Sequence, residues 1–146
     1  MLSFSRKLFH AIEAVVTLAY RVGNEPMSGK ELCETLGLPP RYLESMMQQL
    51  VRIGLLRGVR GPSGGYQLAK PAERISIADI CRALAPEDEI TESHTELGQR
   101  LLMQLAGDLE QHSLNYLETL TLSMLCDKAR SLHIKRDGMQ IMDFTI

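Results

Sequence analysis

The sequence predicts a mainly α-helical fold that carries one small β-hairpin. Apolar residues recur at intervals of three and four in several segments between residues 6 and 130, which is the spacing of amphipathic helices. Between residues 57 and 68, a glycine-rich turn separates two short apolar segments, which favours a hairpin. The chain has 146 residues, of which 45% are hydrophobic, and this is enough for one compact domain or for a small domain plus an assembly element.

The first predicted helix covers residues 6–21. Its apolar residues follow helical spacing and predict one buried face, formed by Phe9, Ile12, Val15, Val16 and Ala19. We expect this helix to close the core behind the elements that follow.

Two short helices joined by a tight turn come next. Ser28 and Glu31 have the spacing of a capping box, so we expect a helix over residues 28–36. Gly37 supplies the positive φ that the turn needs. The proline pair that follows favours the start of a third helix over residues 41–53.

The third helix is predicted to bury an apolar face and to expose a polar one. Its predicted inner side consists of Leu43, Met46, Met47, Leu50 and Val51. Its outer side carries hydrogen-bonding groups of a length that reaches base edges, namely Arg41, Glu44, Ser45, Gln48, Gln49 and Arg52. An exposed helix face is often simply polar, so Gln48 and Gln49 fit either interpretation.

A hairpin is expected after this helix, with strands over residues 55–60 and 66–69. Arg57 and Arg60 place positive charge beside the turn Gly61-Pro62-Ser63-Gly64-Gly65. Helix, turn, helix and basic hairpin in this order describe a winged helix-turn-helix, a module that reads DNA. Solvated surface charge is the alternative interpretation of the two arginines, but their position after the helix pair favours contact with DNA phosphates.

Charge is distributed unevenly along the chain. Residues 1–85 carry eleven Lys and Arg against seven Asp and Glu, whereas residues 86–146 carry five against eleven. The formal net charge of -2 therefore conceals a basic first part. Because the basic part contains the predicted reading module, we expect double-stranded DNA as the partner.

Residues 1–85 are thus predicted to form a winged helix-turn-helix domain, whose last helix is capped by Ser76. An acidic linker is expected over residues 86–96. Residues 97–146 are expected to contain a long helix of about 25 residues, which would extend ~37 Å. A short helix capped by Thr121 and a tail would complete this part.

The long helix carries a stripe of leucines at helical spacing: Leu97, Leu101, Leu102, Leu105, Leu109, Leu117 and Leu120. No other part of so small a chain has the length to cover this stripe. We therefore expect a homodimer joined through the stripe, with packing inside one chain as the alternative.

Three segments resemble the Rrf2 family of bacterial winged-helix transcriptional regulators: residues 42–44, residues 59–68 in the hairpin and residues 77–80. The resemblance covers nearly the whole chain. It implies a homodimer that represses or activates transcription from a near-palindromic site. Position by position, it implies DNA contacts at Ser28, Arg41, Tyr42, Glu44 and Arg60. From the residues themselves, we add Gln48 and the hairpin turn, Gly61, Pro62, Ser63, Gly64 and Gly65.

The chain departs from the family in its cysteines. Members that sense through an iron–sulfur cluster carry three cysteines in the loop before the long helix, whereas residues 86–100 contain none. The further ligand that some members carry in the first helix falls near Phe9, which cannot bind a metal, with His10 beside it. We therefore expect neither an iron–sulfur cofactor nor a metal site, and the effector, a protein or a small molecule, is left open.

The cysteines Cys33, Cys81 and Cys126 are odd in number and far apart in sequence. This pattern argues against a secreted disulfide framework and favours a reducing, cytoplasmic compartment. We expect the three side chains to be small core residues, with a thiol redox switch as the alternative.

Other kinds of site are less well supported. The hairpin turn matches the Gly-x-Ser-x-Gly elbow of hydrolases, but no helix of sufficient length follows Ser63, so an enzyme is not expected. A winged helix that binds a protein instead of DNA is disfavoured by the basic charge. His94, with Glu92 and Glu96 nearby, is an alternative metal site, although a solvated loop histidine is commoner. The apolar stretch 14–19 is too short to span a membrane.

Overall fold

Short helices surround the first helix in a computed structural model that describes residues 5–84 and 92–136. Along the described chain the elements are α1 (Arg6–Tyr20), α2 (Gly29–Leu36), α3 (Pro40–Arg52), β1 (Leu56–Val59), β2 (Gly65–Leu68), a 3-10 turn (Ala72–Arg74), α4 (Ile77–Ala83), a π-helical segment (Leu97–Leu102) continuing into α5 (Met103–Glu118), and α6 (Leu122–Ser131). This helical architecture with a two-stranded sheet confirms the predicted fold class. Most of the predicted linker and the tail from residue 137 lie outside the described residues.

Side-chain caps begin the helices near the predicted positions. Ser28 Oγ accepts a hydrogen bond from the N–H of Glu31 at 3.1 Å. The reciprocal pair of a full capping box forms at α4, where the N–H groups of Ser76 and Asp79 donate to each other's side chains at 2.9 and 3.1 Å. Glu31 instead lies 3.9 Å from Arg21 in an ion pair. The capping box predicted at α2 is therefore only half formed.

Helix α1 buries a face that is shifted from the predicted one, with Val15 common to both. Its buried residues are Ala11, Ala14, Val15, Leu18 and Tyr20. Phe9, which was expected in the core, is 56% exposed, and Ile12, Val16 and Ala19 pack beside the core as partly buried residues. The reason is that α1 contacts α2, α3, α4, α6 and β2, and its small alanines let these neighbours approach closely.

The β-hairpin is anchored to the segment before α2. Its strands pair antiparallel, from Leu56 opposite Leu68 to Val59 opposite Gly65. Met27 and Tyr66 exchange two backbone hydrogen bonds of 2.9 and 2.8 Å, which tie the second strand to the start of the helix pair. A Cβ at Gly65 would lie 2.1 Å from the carbonyl oxygen of Met27, so this close approach requires glycine.

The long helix projects away from the rest of the protomer. Every residue from Gln99 to Ser113 is exposed. Leu117 and Leu120, by contrast, pack against the core of the winged domain. These two leucines, which were predicted as part of the dimer stripe, therefore already have neighbours within their own chain and are only partly exposed.

Backbone and side-chain contacts fasten the base of this helix to the winged domain. The N–H of Ile77 donates to the carbonyl of Leu120 at 2.9 Å. Arg82 donates two hydrogen bonds, of 2.8 and 3.0 Å, to the carboxylate of Glu118. In the part of the chain that the structure describes, no helix combines the length and apolarity needed to cross a membrane.

Candidate nucleic-acid interface

Helix α3 presents a polar face to solvent because its apolar face is fully engaged in the core. Its buried residues are Leu43, Met46, Met47 and Leu50, each at most 1% exposed. Val51 packs beside them as a partly buried residue. The exposed residues are Arg41, Glu44, Ser45, Gln48 and Arg52. The predicted division of this helix into two faces is therefore confirmed, with Gln49 shifted to a half-buried position.

The ends of α3 follow from local sequence signals. Pro40 occupies the first turn, where the missing N–H has no helical partner to lose. Gly54 adopts a φ of +83° just beyond the end of the helix. The glycine thus turns the chain out of α3 and toward the hairpin.

Three exposed side chains of α3 carry the chemistry for base reading. Arg41 is exposed and makes no hydrogen bond or ion pair with any other described residue. Gln48 Nε2 donates to Glu44 Oε1 at 3.3 Å, one helical turn away. In the major groove, Arg suits guanine, Gln suits adenine, and a Glu carboxylate accepts from cytosine. This end of the helix therefore offers both donors and acceptors to a base-pair edge.

Tyr42 is placed differently from its neighbours in the sequence. Its side chain is half-buried, and its hydroxyl lies 3.1 Å from His10 Nδ1 on α1. The two rings are perpendicular, with centroids 5.7 Å apart. Tyr42 is among the predicted DNA contacts, whereas His10 has no predicted role there. No local signal links residues that are 32 positions apart.

Ser28 serves as the N-cap of α2. Its Oγ accepts from the N–H of Glu31, which leaves the hydroxyl proton available to a second partner. The residue directly follows Met27, the anchor point of the hairpin. Ser28 thus lies where the hairpin joins the helix pair.

The two arginines of the hairpin have different surroundings. Arg57 Nε donates to Gln67 Oε1 at 2.6 Å, and Gln67 Nε2 in turn donates to the carbonyl of Asn24 at 2.9 Å. Arg60 is exposed and has no such partner among the described residues. Both arginines are therefore exposed, as expected, but Arg57 lies within the strand and bonds to Gln67, whereas Arg60 lies next to the turn.

The turn of the hairpin is shaped by close backbone contacts. Gly61, Pro62 and Ser63 are exposed, and the N–H of Gly64 donates to the carbonyl of Gly61 at 3.0 Å. A Cβ at Gly64 would lie 2.2 Å from the carbonyl oxygen of Val59. A strand, and not a helix, follows Ser63. The hydrolase alternative is therefore wrong, because a nucleophile elbow requires a helix at this point.

Comparison with known proteins decides the family. The family model Rrf2, described as an iron-dependent transcriptional regulator, matches residues 4–128. The chain belongs to the Rrf2 family. It is a DNA-binding transcriptional regulator and not an enzyme, as the proteins it is similar to are transcriptional regulators.

Individual relatives of this Rrf2 protein match it in sequence or in structure. The HTH-type transcriptional regulator IscR of Cereibacter sphaeroides is 38% identical over 99 residues. The match covers 66% of this chain and 63% of the relative, so this chain spans less than two thirds of the relative's length. The structure of T. potens IscR matches with a TM-score of 0.73 and 27% identity, covering 92% of this chain and 93% of that one. Staphylococcus aureus CymR matches with a TM-score of 0.66 and 34% identity, covering 84% and 97% of the two chains.

The residues of this Rrf2 protein do not fit the iron–sulfur cluster that family members often bind. The three cysteines, Cys33, Cys81 and Cys126, lie on three different helices. Burial raises the pKa of the Cys81 and Cys126 thiols, which disfavours the thiolate that a cluster requires. All three cysteine side chains pack as partly or fully buried residues, as expected.

The alternative metal site, His94 with Glu92 and Glu96, gains no support from the described residues. Within residues 5–84 and 92–136, no group of three or more His, Cys, Asp or Glu side chains is arranged to hold a metal ion. Glu96 instead accepts a hydrogen bond of 2.6 Å from Arg100, one turn further along the helix. His94, Glu92 and Glu96 therefore do not form a ligand set.

Proposed function

We propose that this Rrf2 protein is a homodimer that represses transcription by binding a near-palindromic operator, and that it does so without an iron–sulfur cluster. The observation that carries the proposal is the uncovered leucine face of residues 97–118, here called the projecting helix. It supplies a means of joining two copies, each with one exposed recognition helix.

The dimer is supported by the exposure of large apolar side chains on one helix. Leu97, Leu101, Leu105 and Leu109 are 64, 57, 62 and 44% exposed, and Leu102 is 51% exposed. An isolated helix of this length is marginal in water, and contiguous exposed leucines mark an association surface. A second copy of the chain presents the same stripe, so a twofold dimer buries both.

The operator is proposed from the symmetry that such a dimer imposes. Two heads related by a twofold axis read half-sites that are themselves related by that axis, about one helical turn apart. In each head, α3 lies in the major groove with Arg41, Glu44 and Gln48 toward base edges. Arg60 and the hairpin turn contact the adjacent groove or backbone. Such a dimer represses transcription because it occupies the promoter and blocks access to it. Since a bacterial operator lies in the cytoplasm, the protein acts there.

Selection of bound fragments from sheared genomic DNA tests the function. We expect enriched fragments to share an inverted repeat, and binding to weaken steeply as salt rises because neutralised phosphates release counterions. Light scattering of the protein alone should give the mass of two chains. Failure to bind any fragment at low salt, or enrichment of fragments without a repeat, would contradict the proposal.

Anaerobic reconstitution with iron and sulfide tests the absence of a cluster. We expect no stoichiometric visible absorbance and undiminished DNA binding in the presence of a chelator, since the three cysteines lie on three different helices. A stable brown chromophore that is lost when Cys33, Cys81 or Cys126 is replaced by Ser would contradict this part of the proposal.

A further inference from the structure

A histidine on the first helix contacts the first turn of the recognition helix. His10 Nδ1 lies 3.1 Å from the Tyr42 hydroxyl, in a partly buried position. The Tyr42 ring meets the His10 ring edge-on at 5.7 Å, and Phe9 flanks His10 in the same way at 6.0 Å. Both the hydroxyl and the ring plane of Tyr42 are therefore held by α1.

Tyr42 is placed to contact the DNA backbone when α3 enters the major groove. It is the third residue of α3, and the first turn of a recognition helix is the part that approaches DNA. Arg41 and Glu44 beside it are exposed, whereas Tyr42 is half-buried. A less prominent side chain of this kind suits the phosphates that flank the groove better than the base edges at its floor.

The chemistry of this contact depends on which group donates the hydrogen bond between the two side chains. A phenol hydroxyl has a single proton, whereas a backbone phosphate offers only acceptor oxygens. When the hydroxyl donates to Nδ1, it has only lone pairs left for the phosphate, which repels them. When Nδ1–H donates to the hydroxyl oxygen, the phenol proton is free for the phosphate.

We propose that His10 is a positioning residue for DNA binding, which donates its Nδ1–H to the Tyr42 hydroxyl and thereby directs the phenol proton to a DNA phosphate. This inference rests on the proposed placement of α3 in the major groove. It adds His10, which lies outside the helix-turn-helix, to the residues that determine DNA binding. Because Tyr42 is held before DNA arrives, binding does not have to order its side chain.

Operator affinity in a set of single and double variants tests the inference. His10→Phe keeps an aromatic ring and removes Nδ1, Tyr42→Phe removes the hydroxyl, and His10→Asn restores an amide N–H close to the position of Nδ1. We expect His10→Phe and Tyr42→Phe each to weaken binding about 3- to 10-fold, as for the loss of one hydrogen bond. The double variant should bind no more weakly than the weaker single variant, and His10→Asn should recover most of the affinity.

Ethylation interference provides a readout that a merely structural role of His10 would not change. In the wild-type complex, one phosphate per half-site should show interference that both His10→Phe and Tyr42→Phe abolish. Combination of His10→Phe with Arg60→Ala serves as a control, because residues without a shared partner should give multiplied losses. The ¹⁵N resonance of His10 Nδ1 in the wild-type complex should show a bound proton, and this measurement decides the matter even if a variant fails to fold.

Several outcomes would overturn the inference. One is that His10→Phe binds the operator with wild-type affinity although Tyr42→Phe binds weakly. Another is that the losses of affinity in the two single variants multiply in the double variant. The third is that Nδ1 of His10 carries no proton in the complex. Each of these leaves the proposed function intact. Absence of wild-type binding to any selected fragment would instead overturn the proposed function itself.

Discussion

The winged domain and the projecting helix treat their apolar residues in opposite ways. In the winged domain, Leu32, Met46 and Leu50 are completely buried. On the projecting helix, Leu101 and Leu105 are more than half exposed. Leucines and methionines have the same helical spacing in both regions. An apolar stripe therefore indicates that a helix face needs a partner, but it does not indicate whether the partner lies in the same chain. The winged domain covers its stripes within one chain, whereas the projecting helix leaves its stripe exposed, which is the basis of the proposed dimer.

The largest effect should come from charge placed on the projecting stripe. Leu105→Asp would bury an unpaired carboxylate in the proposed dimer interface, which costs several kcal/mol, so the dimer should dissociate. Operator affinity should then fall by about 100-fold or more, because two linked heads become two separate ones. Light scattering and a DNA titration measure both effects.

The matched control for this variant is Gln104→Asp, which adds the same charge at the exposed polar position next to Leu105. It should leave the mass and the affinity unchanged. A Leu105→Asp protein that remains dimeric and binds the operator normally would show that the two copies do not meet through this stripe.

A pair of Leu→Ala substitutions sharpens the comparison of the two regions. Leu50→Ala leaves a cavity in a completely buried site and should lower the free energy of unfolding by about 2–5 kcal/mol. Leu101→Ala should act mainly on association, so its effect on the melting temperature should appear as protein concentration rises and vanish at concentrations low enough for both proteins to be monomeric. Denaturation at several protein concentrations separates the two cases. Equal, concentration-independent losses would mean that Leu101 also has neighbours in its own chain.

The hairpin arginines test whether the winged domain reads DNA through its tip. Arg60→Ala should cost about 1–3 kcal/mol of binding free energy if the guanidinium contacts a base edge. Arg57→Ala should cost less, because its Nε is already bonded to Gln67. A titration of both variants on one operator gives the comparison. A larger loss for Arg57→Ala would place the DNA on the other side of the hairpin.

The smallest effect is expected at the joint between the two regions. Hydrogen bonds from Arg82 lower the pKa of the Glu118 carboxyl. A lowered folded-state pKa contributes stability that is present above the unfolded-state pKa and is lost as pH falls through the folded-state value. Because the pair is exposed, the contribution should be small. Melting temperatures of wild type and Glu118→Gln should therefore differ slightly at neutral pH and converge in acid, and a difference that grows in acid would contradict this assignment.

Much of the fold could be predicted because its signals are local. The polar face of α3 was predicted correctly in outline, since its apolar residues repeat at helical spacing beside a helix start marked by prolines. The face of α1 could not be predicted in the same way, because Phe9 and Ala11 both lie on apolar arcs. Only packing against five other elements selected the alanine side. The DNA contacts themselves stay predictions.

By itself, the sequence determined where helices begin, where the chain turns and which face of α3 is polar. Ser76 and Thr121 cap helices through atoms three residues away, and Gly54 turns the chain with its own backbone. Tertiary structure alone decided which leucines stay exposed, and it decided that Arg57, unlike Arg60, bonds to Gln67. It also decided the pairing of His10 with Tyr42, 32 residues apart. The physical reason is that caps and turns depend on neighbouring backbone atoms, whereas burial and side-chain partners depend on residues brought together only by folding.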